Sequence, residues 1–245
     1  MFTANHFIWI GICAVLIIAL SIVSIKLKLS LKCASFIMSG IASGSELLKI
    51  FTHIEGAHEG RGYLEPTALP LHLCSILIFV IFYITLAKEG PMKERLKSFF
   101  TPISLAGGTL AILMATSGVN FAKPFAYQCF IYHAGIIWFA IYLIATKQVS
   151  LGIKAYKSNL VILGSLVFIM LWVNSILSVY ETNFFFLVEP PADNLPLLNM
   201  NNGWYAYFAT VVILGIVLLT SVHLPSIIKE ARSRALTKND SSDII

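Results

Sequence analysis

The chain has 245 residues, of which 58% are hydrophobic and only 12% are charged. Soluble globular domains carry about 25% charged residues, so the composition excludes an ordinary soluble domain and indicates a membrane protein. A spanning helix needs about 20 apolar residues, and apolar runs of about that length alternate with short polar breaks. The sequence therefore predicts one all-α transmembrane domain over residues 1–228, followed by a polar, disordered cytoplasmic tail over residues 229–245.

The apolar runs predict a bundle of about seven transmembrane helices. In chain order they cover roughly residues 7–25, 31–50, 70–87, 99–118, 125–146, 159–180 and 203–224. The first run has no basic residue before it and no small-residue cleavage site after it, which favours a first span over a cleaved signal peptide. The second run is the weakest, because serines and glycines dilute it. Small residues also let helices approach closely in a bilayer, which is typical of an interior helix.

The distribution of basic residues predicts the orientation of the bundle. Fourteen of the 17 Lys and Arg residues lie in the breaks after the first, third and fifth runs and in the tail. The other side holds only Lys49, Arg61 and Lys123. Cytoplasmic loops carry an excess of Lys and Arg, so the N-terminus is predicted outside and the C-terminus in the cytoplasm. This bias explains the net charge of +5, and nothing in it favours nucleic acid as a partner.

The two long outer loops differ in chemistry. Residues 51–70 carry three acidic side chains, Arg61 and two histidines. Residues 181–204 have no basic residue, three prolines and the apolar stretch FFFLV. A long loop of that composition either dips into the bilayer or caps the bundle, and an ordinary loop with a packed aromatic patch is the alternative.

Ionisable groups within spans are costly and are candidates for function, and Cys74 is the first of them. It lies about four residues inside the third run, roughly 6 Å deep at 1.5 Å per residue. His72 is two residues away, about 200° around a helix, so we expect it to point away from Cys74. His133 lies about nine residues inside the fifth run, roughly 13 Å deep. Both Cys74 and His133 are therefore predicted in the outer half of the bundle.

A thiol and a histidine in this region predict acyl transfer. A histidine that stabilises a thiolate makes it a nucleophile, and a thioester intermediate divides the reaction into two steps. Cys129 is a rival thiol, because it lies four residues before His133 on one helix face. A third group often orients such a histidine; the candidates are Asn120, Asn174, Asn183 and Glu46. The outer cations, Arg61, Lys123 and Lys49, are candidates to contact a lipid phosphate, and anchoring at the interface explains them equally well.

Ordinary explanations and two other functions stay open at this point. A lone cysteine is most often a small buried hydrophobe, and a lone histidine most often bonds a neighbouring carbonyl. Zinc held by outer histidines and glutamates would indicate an intramembrane lipid hydrolase; these histidines are His53, His58, His72 and His133. A non-catalytic membrane transporter or binding protein is the other alternative, for which internal repeats and broken helices would be expected. No repeat is present, and the glycine pair at 107–108 is the one candidate interruption.

Three motifs resemble one family of membrane proteins. LPLHLC opens the third run, QCFIYHAGIIWFAIYL contains His133, and NFFFLVEPP with GWYAYF precedes the last run. In order and spacing, from about residue 30 to 225, they resemble the YwaF family of bacterial integral membrane proteins. That family is similar to an animal transmembrane acyltransferase of ether-phospholipid remodelling. Phe184 stands where the bacterial pattern has tyrosine, and NNGWYAY lacks its prolines.

The resemblance implies an acyltransferase in the bacterial cytoplasmic membrane. It implies that Cys74 is the nucleophile and His133 its partner. An acyl chain would pass from a phospholipid to a lysophospholipid or another lipid acceptor, and no cofactor is expected. His72, Asn174, Asn183 and Glu46 are possible supporting residues, whereas Arg61 and Lys123 are candidates for the lipid headgroup. No metal ligands are assigned.

Overall fold

The computed structural model describes residues 3–56, 64–114, 118–192, 195 and 197–242, without the side chains of 55, 56 and 236–242. This part of the chain contains seven α-helices and no strand. They are α1 Ala4–Lys26, α2 Leu31–Gly56, α3 Leu73–Leu86, α4 Pro91–Met114, α5 Pro124–Ala145, α6 Ile153–Ile176 and α7 Gly203–Ser242. Short 3₁₀ helices cover Pro66–Ala68, Ser178–Tyr180 and Phe184–Phe186.

Five of the seven helices are long and apolar enough to cross a membrane. They are α1, α4, α5, α6 and the first 33 residues of α7. Their outward faces are rich in large apolar side chains, such as Ile18, Val161 and Ile213. An apolar exterior of this extent is the surface that a bilayer covers, so this is a multi-pass membrane protein.

The helices α2 and α3 do not meet that criterion. Glu46, Lys49 and several serines dilute α2, although it has 26 residues. Helix α3 has 14 residues, about 21 Å at 1.5 Å per residue, against a hydrocarbon core of about 30 Å. It begins at Leu73 rather than at 70, because His72 has extended backbone angles (φ −66°, ψ 151°). The predicted rotation between His72 and Cys74 assumed that both residues belong to a helix, and for His72 this assumption is wrong.

Helix α5 forms the centre of the bundle. It packs against α1, α2 and α4, while α3 lies between α2 and α4, and α6 and α7 pack on α4. About 67% of the apolar stretch of α5 is buried, compared with 17% for α1. Trp138, Phe139 and Tyr142 on α5 are almost fully buried. Residues on α5 are thus positioned by contacts on several sides.

Glycines permit the closest approaches to α5. A Cβ added at Gly135 would lie 3.1 Å from Ile41 of α2, and one added at Gly108 would lie 2.9 Å from Ile137. The glycines of α2 itself, Gly40 and Gly44, have open space at that position among the described residues. The small residues of α2 that meet neighbours are instead alanines and serines, such as Ala42, which is fully buried, and Ser39, whose hydroxyl lies 2.8 Å from that of Thr85.

A buried polar network joins the N-terminal halves of α4 and α6 to the middle of α7. Pro102 lies inside α4 and lacks the N–H that would normally bond the carbonyl of Ser98. Asn159 of α6 donates its Nδ2 to that carbonyl at 2.8 Å. The same amide donates to His223 Nε2 at 3.1 Å, and His223 Nδ1 donates to the Leu151 carbonyl at 2.8 Å. Asn159 therefore supplies the hydrogen bond that Pro102 removes from its own helix.

Candidate functional site

Cys74 lies in the first turn of α3, where neighbouring helices hold it from two sides. The Tyr132 hydroxyl of α5 donates a hydrogen bond to the Cys74 carbonyl at 2.6 Å. On α4, Gly107 faces the thiol, and a Cβ added there would lie 3.9 Å from Cys74 Sγ. Cys74 is half-buried.

His133 is oriented by its own helix. Its Nδ1 donates to the Cys129 carbonyl, four residues earlier, at 2.6 Å. This bond fixes the tautomer with the proton on Nδ1 and leaves Nε2 as the nitrogen that accepts a proton. Sequence analysis predicted an asparagine or Glu46 for this task. Among the described residues, the hydrogen bonds of His133 include none of those groups.

The same geometry separates the two rival thiols. Cys129 Sγ lies 3.7 Å from His133 Nδ1, the nitrogen that carries the proton. A base accepts a proton through its free lone pair, which in this tautomer is on Nε2. The Cys129 thiol thus faces the side of the ring that cannot deprotonate it.

Tyr132 connects the first turn of α3 to the segment of α5 that carries His133. Tyr132, which bonds Cys74, directly precedes His133, and the two rings are 5.4 Å apart. On α2, the Ser45 hydroxyl donates to the Gln128 carbonyl of α5 at 3.3 Å. Segments of α2, α3 and α5 therefore share one polar region.

On α2, Glu46 belongs to a buried ion pair in this region. Its carboxylate lies 2.7 Å from Lys49 Nζ, one helical turn away. Lys49 is only 8% exposed, and its backbone carbonyl accepts a hydrogen bond from His53 Nδ1 at 2.9 Å. The sequence left Lys49 as either a lipid-phosphate contact or an interface anchor, whereas the structure buries it in an ion pair with Glu46.

The loop before α7 packs over the start of α3. Phe184 is fully buried, and its ring centroid lies 5.2 Å from that of His72; the distance from Phe186 is 5.6 Å. The aromatic stretch thus packs against His72, which directly precedes α3 and lies two positions before Cys74. Whether this loop caps the bundle or dips into the bilayer stays a prediction.

Side chains from α6 and α7 hold this loop in a costly conformation. Phe185 and Phe186 have φ of 61° and 55°, a region that costs bulky residues roughly 1–3 kcal/mol each. The Asn174 amide bonds both the N–H and the carbonyl of Phe184, at 2.8 and 3.0 Å. The Tyr207 hydroxyl donates to the Phe186 carbonyl at 2.5 Å, and Trp204 Nε1 to the Leu187 carbonyl at 2.9 Å. Both polar atoms of the Asn174 amide thus bond the loop backbone.

A comparison with protein families matches the TMEM164 family over residues 1–221. The chain belongs to the TMEM164 family. This assignment is consistent with the resemblance to the animal transmembrane acyltransferase, and it extends the matched region to α1. No curated protein and no solved structure matches the chain.

Two further predicted site residues of this TMEM164-family protein, Asn183 and Lys123, have surroundings of their own in the structure. Asn183 bonds the loop backbone, with Nδ2 donating to the Glu189 carbonyl at 2.9 Å. Lys123 is exposed just before α5. Arg61 and His58 fall outside the described residues. Within the part that is described, no group of three His, Cys, Asp or Glu side chains is arranged to hold a metal ion.

Two residues of the site were not singled out from sequence. Tyr132 was hidden in an aromatic-rich apolar run, where only its position next to His133 could have drawn attention. Gly107 was considered as a helix interruption, but α4 is continuous from Pro91 to Met114. Its contact with Cys74 depends on how α3 and α4 pack, which periodicity does not reveal.

Proposed function

We propose that this TMEM164-family protein is a membrane lipid acyltransferase with Cys74 as nucleophile and His133 as general base and acid. The observation that carries the proposal is the Tyr132 hydrogen bond, which ties the Cys74 backbone to the residue next to His133. A second support is the tautomer of His133, whose Nε2 is left to accept a proton. The similarity to the animal transmembrane acyltransferase supplies the substrate class, a phospholipid donor and a lysophospholipid acceptor.

In the first half-reaction, His133 Nε2 takes the thiol proton and Cys74 Sγ attacks the ester carbonyl carbon of the phospholipid. The bond from that carbon to the glycerol oxygen breaks, and this oxygen takes the proton from Nε2. A lysophospholipid leaves and a thioester remains on Cys74. In the second half-reaction, an acceptor hydroxyl loses its proton to Nε2 and attacks the thioester, which restores the thiol.

The proposal includes the membrane topology. Seven passes, with the N-terminus outside and the C-terminus in the cytoplasm, follow the distribution of Lys and Arg. The short α3 then begins below the outer surface, with the aromatic loop above it. Cys74 lies near the ester region of the outer leaflet in this arrangement, and a bacterial cytoplasmic membrane is the proposed location.

An acyl-exchange assay tests this function. The purified protein in nanodiscs is mixed with a phospholipid that carries a labelled acyl chain and with an unlabelled lysophospholipid. We expect labelled product from the wild type and from Cys129→Ser, and a loss of at least 100-fold in Cys74→Ser and His133→Ala. Equal exchange by Cys74→Ser and wild type would refute the proposed nucleophile, whereas loss in Cys129→Ser alone would transfer that role to Cys129.

A further inference from the structure

Helix α4 carries two adjacent glycines with different surroundings. A Cβ added at Gly108 would lie 2.9 Å from Ile137 Cγ1, closer than real Cβ atoms approach, so the contact between α4 and α5 requires glycine there. A Cβ added at Gly107 would meet only Cys74 Sγ within 4 Å among the described residues, at 3.9 Å. That distance is an ordinary van der Waals contact. Helix packing therefore explains Gly108 and does not explain Gly107.

Packing does not account for the choice of glycine over alanine at position 107. In the interior of a helix glycine is less stabilising than alanine, and the structure has space for the alanine methyl group. The space that glycine leaves open is beside the Cys74 sulfur, and both Gly107 and Cys74 are half-buried.

The other described neighbours restrict the first turn of α3. Tyr132 occupies the backbone carbonyl of Cys74, and the nearby Cys129 is only 5% exposed. On the side of Gly107, the sulfur lies next to backbone atoms, because glycine has no side chain. A group bound to Sγ therefore has room on the α4 side of the thiol.

We propose that the acyl group of the Cys74 thioester lies against the backbone of Gly107, which makes Gly107 a specificity-determining residue. This inference rests on the proposed function. When Sγ attacks the ester, a sulfur–carbon bond forms, and the carbonyl oxygen and first methylene of the chain must fit beside the sulfur. The bond to the glycerol oxygen then breaks as that oxygen takes the proton from His133. A side chain at 107 competes for the same volume.

Thiol reagents of two sizes test this space without acyl transfer. Methyl and hexadecyl methanethiosulfonate both convert a thiol into a mixed disulfide with release of methanesulfinate. Their rates at Cys74 are measured by peptide-resolved mass spectrometry on protein in nanodiscs. We expect both reagents to label the wild type, the hexadecyl rate to fall at least tenfold in Gly107→Val, and the methyl rate to fall less. In Gly107→Ala, we expect the hexadecyl rate alone to fall about threefold.

Gly164→Val is the matched control, because a Cβ at Gly164 meets nothing within 4 Å among the described residues. This variant makes the same glycine-to-valine change in a helix, but at a position away from Cys74. We therefore expect both reagents to label Cys74 at the wild-type rates. Folded Gly107→Val with wild-type hexadecyl labelling would overturn the inference. If that variant does not fold, an unchanged ratio of the two rates in Gly107→Ala overturns it. Normal acyl exchange by folded Gly107→Val would also overturn it while leaving the proposed function intact; absent exchange by the wild type would sink the proposed function instead.

Discussion

Replacing Asn159 by leucine tests whether its amide supplies the hydrogen bond that Pro102 removes from α4. Asn159 is fully buried, and its amide donates to the Ser98 carbonyl and to His223 Nε2. Leucine leaves both acceptors without this donor, and a buried unsatisfied group costs roughly 1–3 kcal/mol. Removal of the amide oxygen offsets part of this free-energy cost, because Asn159 Oδ1 has no hydrogen-bond partner among the described residues. We expect Asn159→Leu to lower the free energy of unfolding by about 2–4 kcal/mol.

A double-mutant cycle with Pro102→Ala makes this prediction specific. Alanine restores an N–H at position 102, which bonds the Ser98 carbonyl within α4. Asn159→Leu then leaves one acceptor unsatisfied instead of two, so its cost should fall by roughly 1–2 kcal/mol. The free energies are measured by reversible unfolding of all four proteins in mixed micelles. An equal cost of Asn159→Leu in both backgrounds would refute the role assigned to the Ser98 carbonyl.

Three further predictions concern the region around Cys74. Tyr132→Phe removes one hydrogen bond to α3, worth roughly 0.5–1.5 kcal/mol; acyl exchange should fall about 3–10-fold with the fold retained, and full exchange would mean that Tyr132 does not position Cys74. Asn174→Ala frees the Phe184 backbone, so amide hydrogen exchange at Phe184 should rise at least tenfold; unchanged protection would show that Asn174 does not hold the loop. Gly108→Ala should lower the free energy of unfolding by about 1–3 kcal/mol through overpacking against Ile137, whereas Gly107→Ala should not. Equal melting temperatures for the two variants would contradict the contrast between these glycines.

The helices were largely predictable, because apolar runs of spanning length have few alternative structures. The residue at which α3 begins was not predictable. Residues 70–72 are apolar enough to extend the run, but His72 adopts an extended backbone beneath the phenylalanines of a distant loop. That contact depends on tertiary packing, and local propensity carries no signal for it.

The site was predictable where partners are close in sequence. The ion pair of Glu46 with Lys49 and the bond of His133 to the Cys129 carbonyl span three and four residues, distances that a helix brings together. The partner of Asn174 was not predictable, because an irregular loop must satisfy its backbone groups with whichever side chains are nearby. The seven-pass topology, the bacterial YwaF assignment and the roles of Cys74 and His133 stay predictions.

The most direct measurement is the site of acylation. The wild type and Cys129→Ser are incubated with labelled phospholipid, quenched in acid to preserve a thioester, digested and analysed by mass spectrometry. The account predicts a hydroxylamine-sensitive acyl group on the peptide that contains Cys74 in both proteins. An acyl group found on another residue, or no adduct while acyl exchange proceeds, would contradict it.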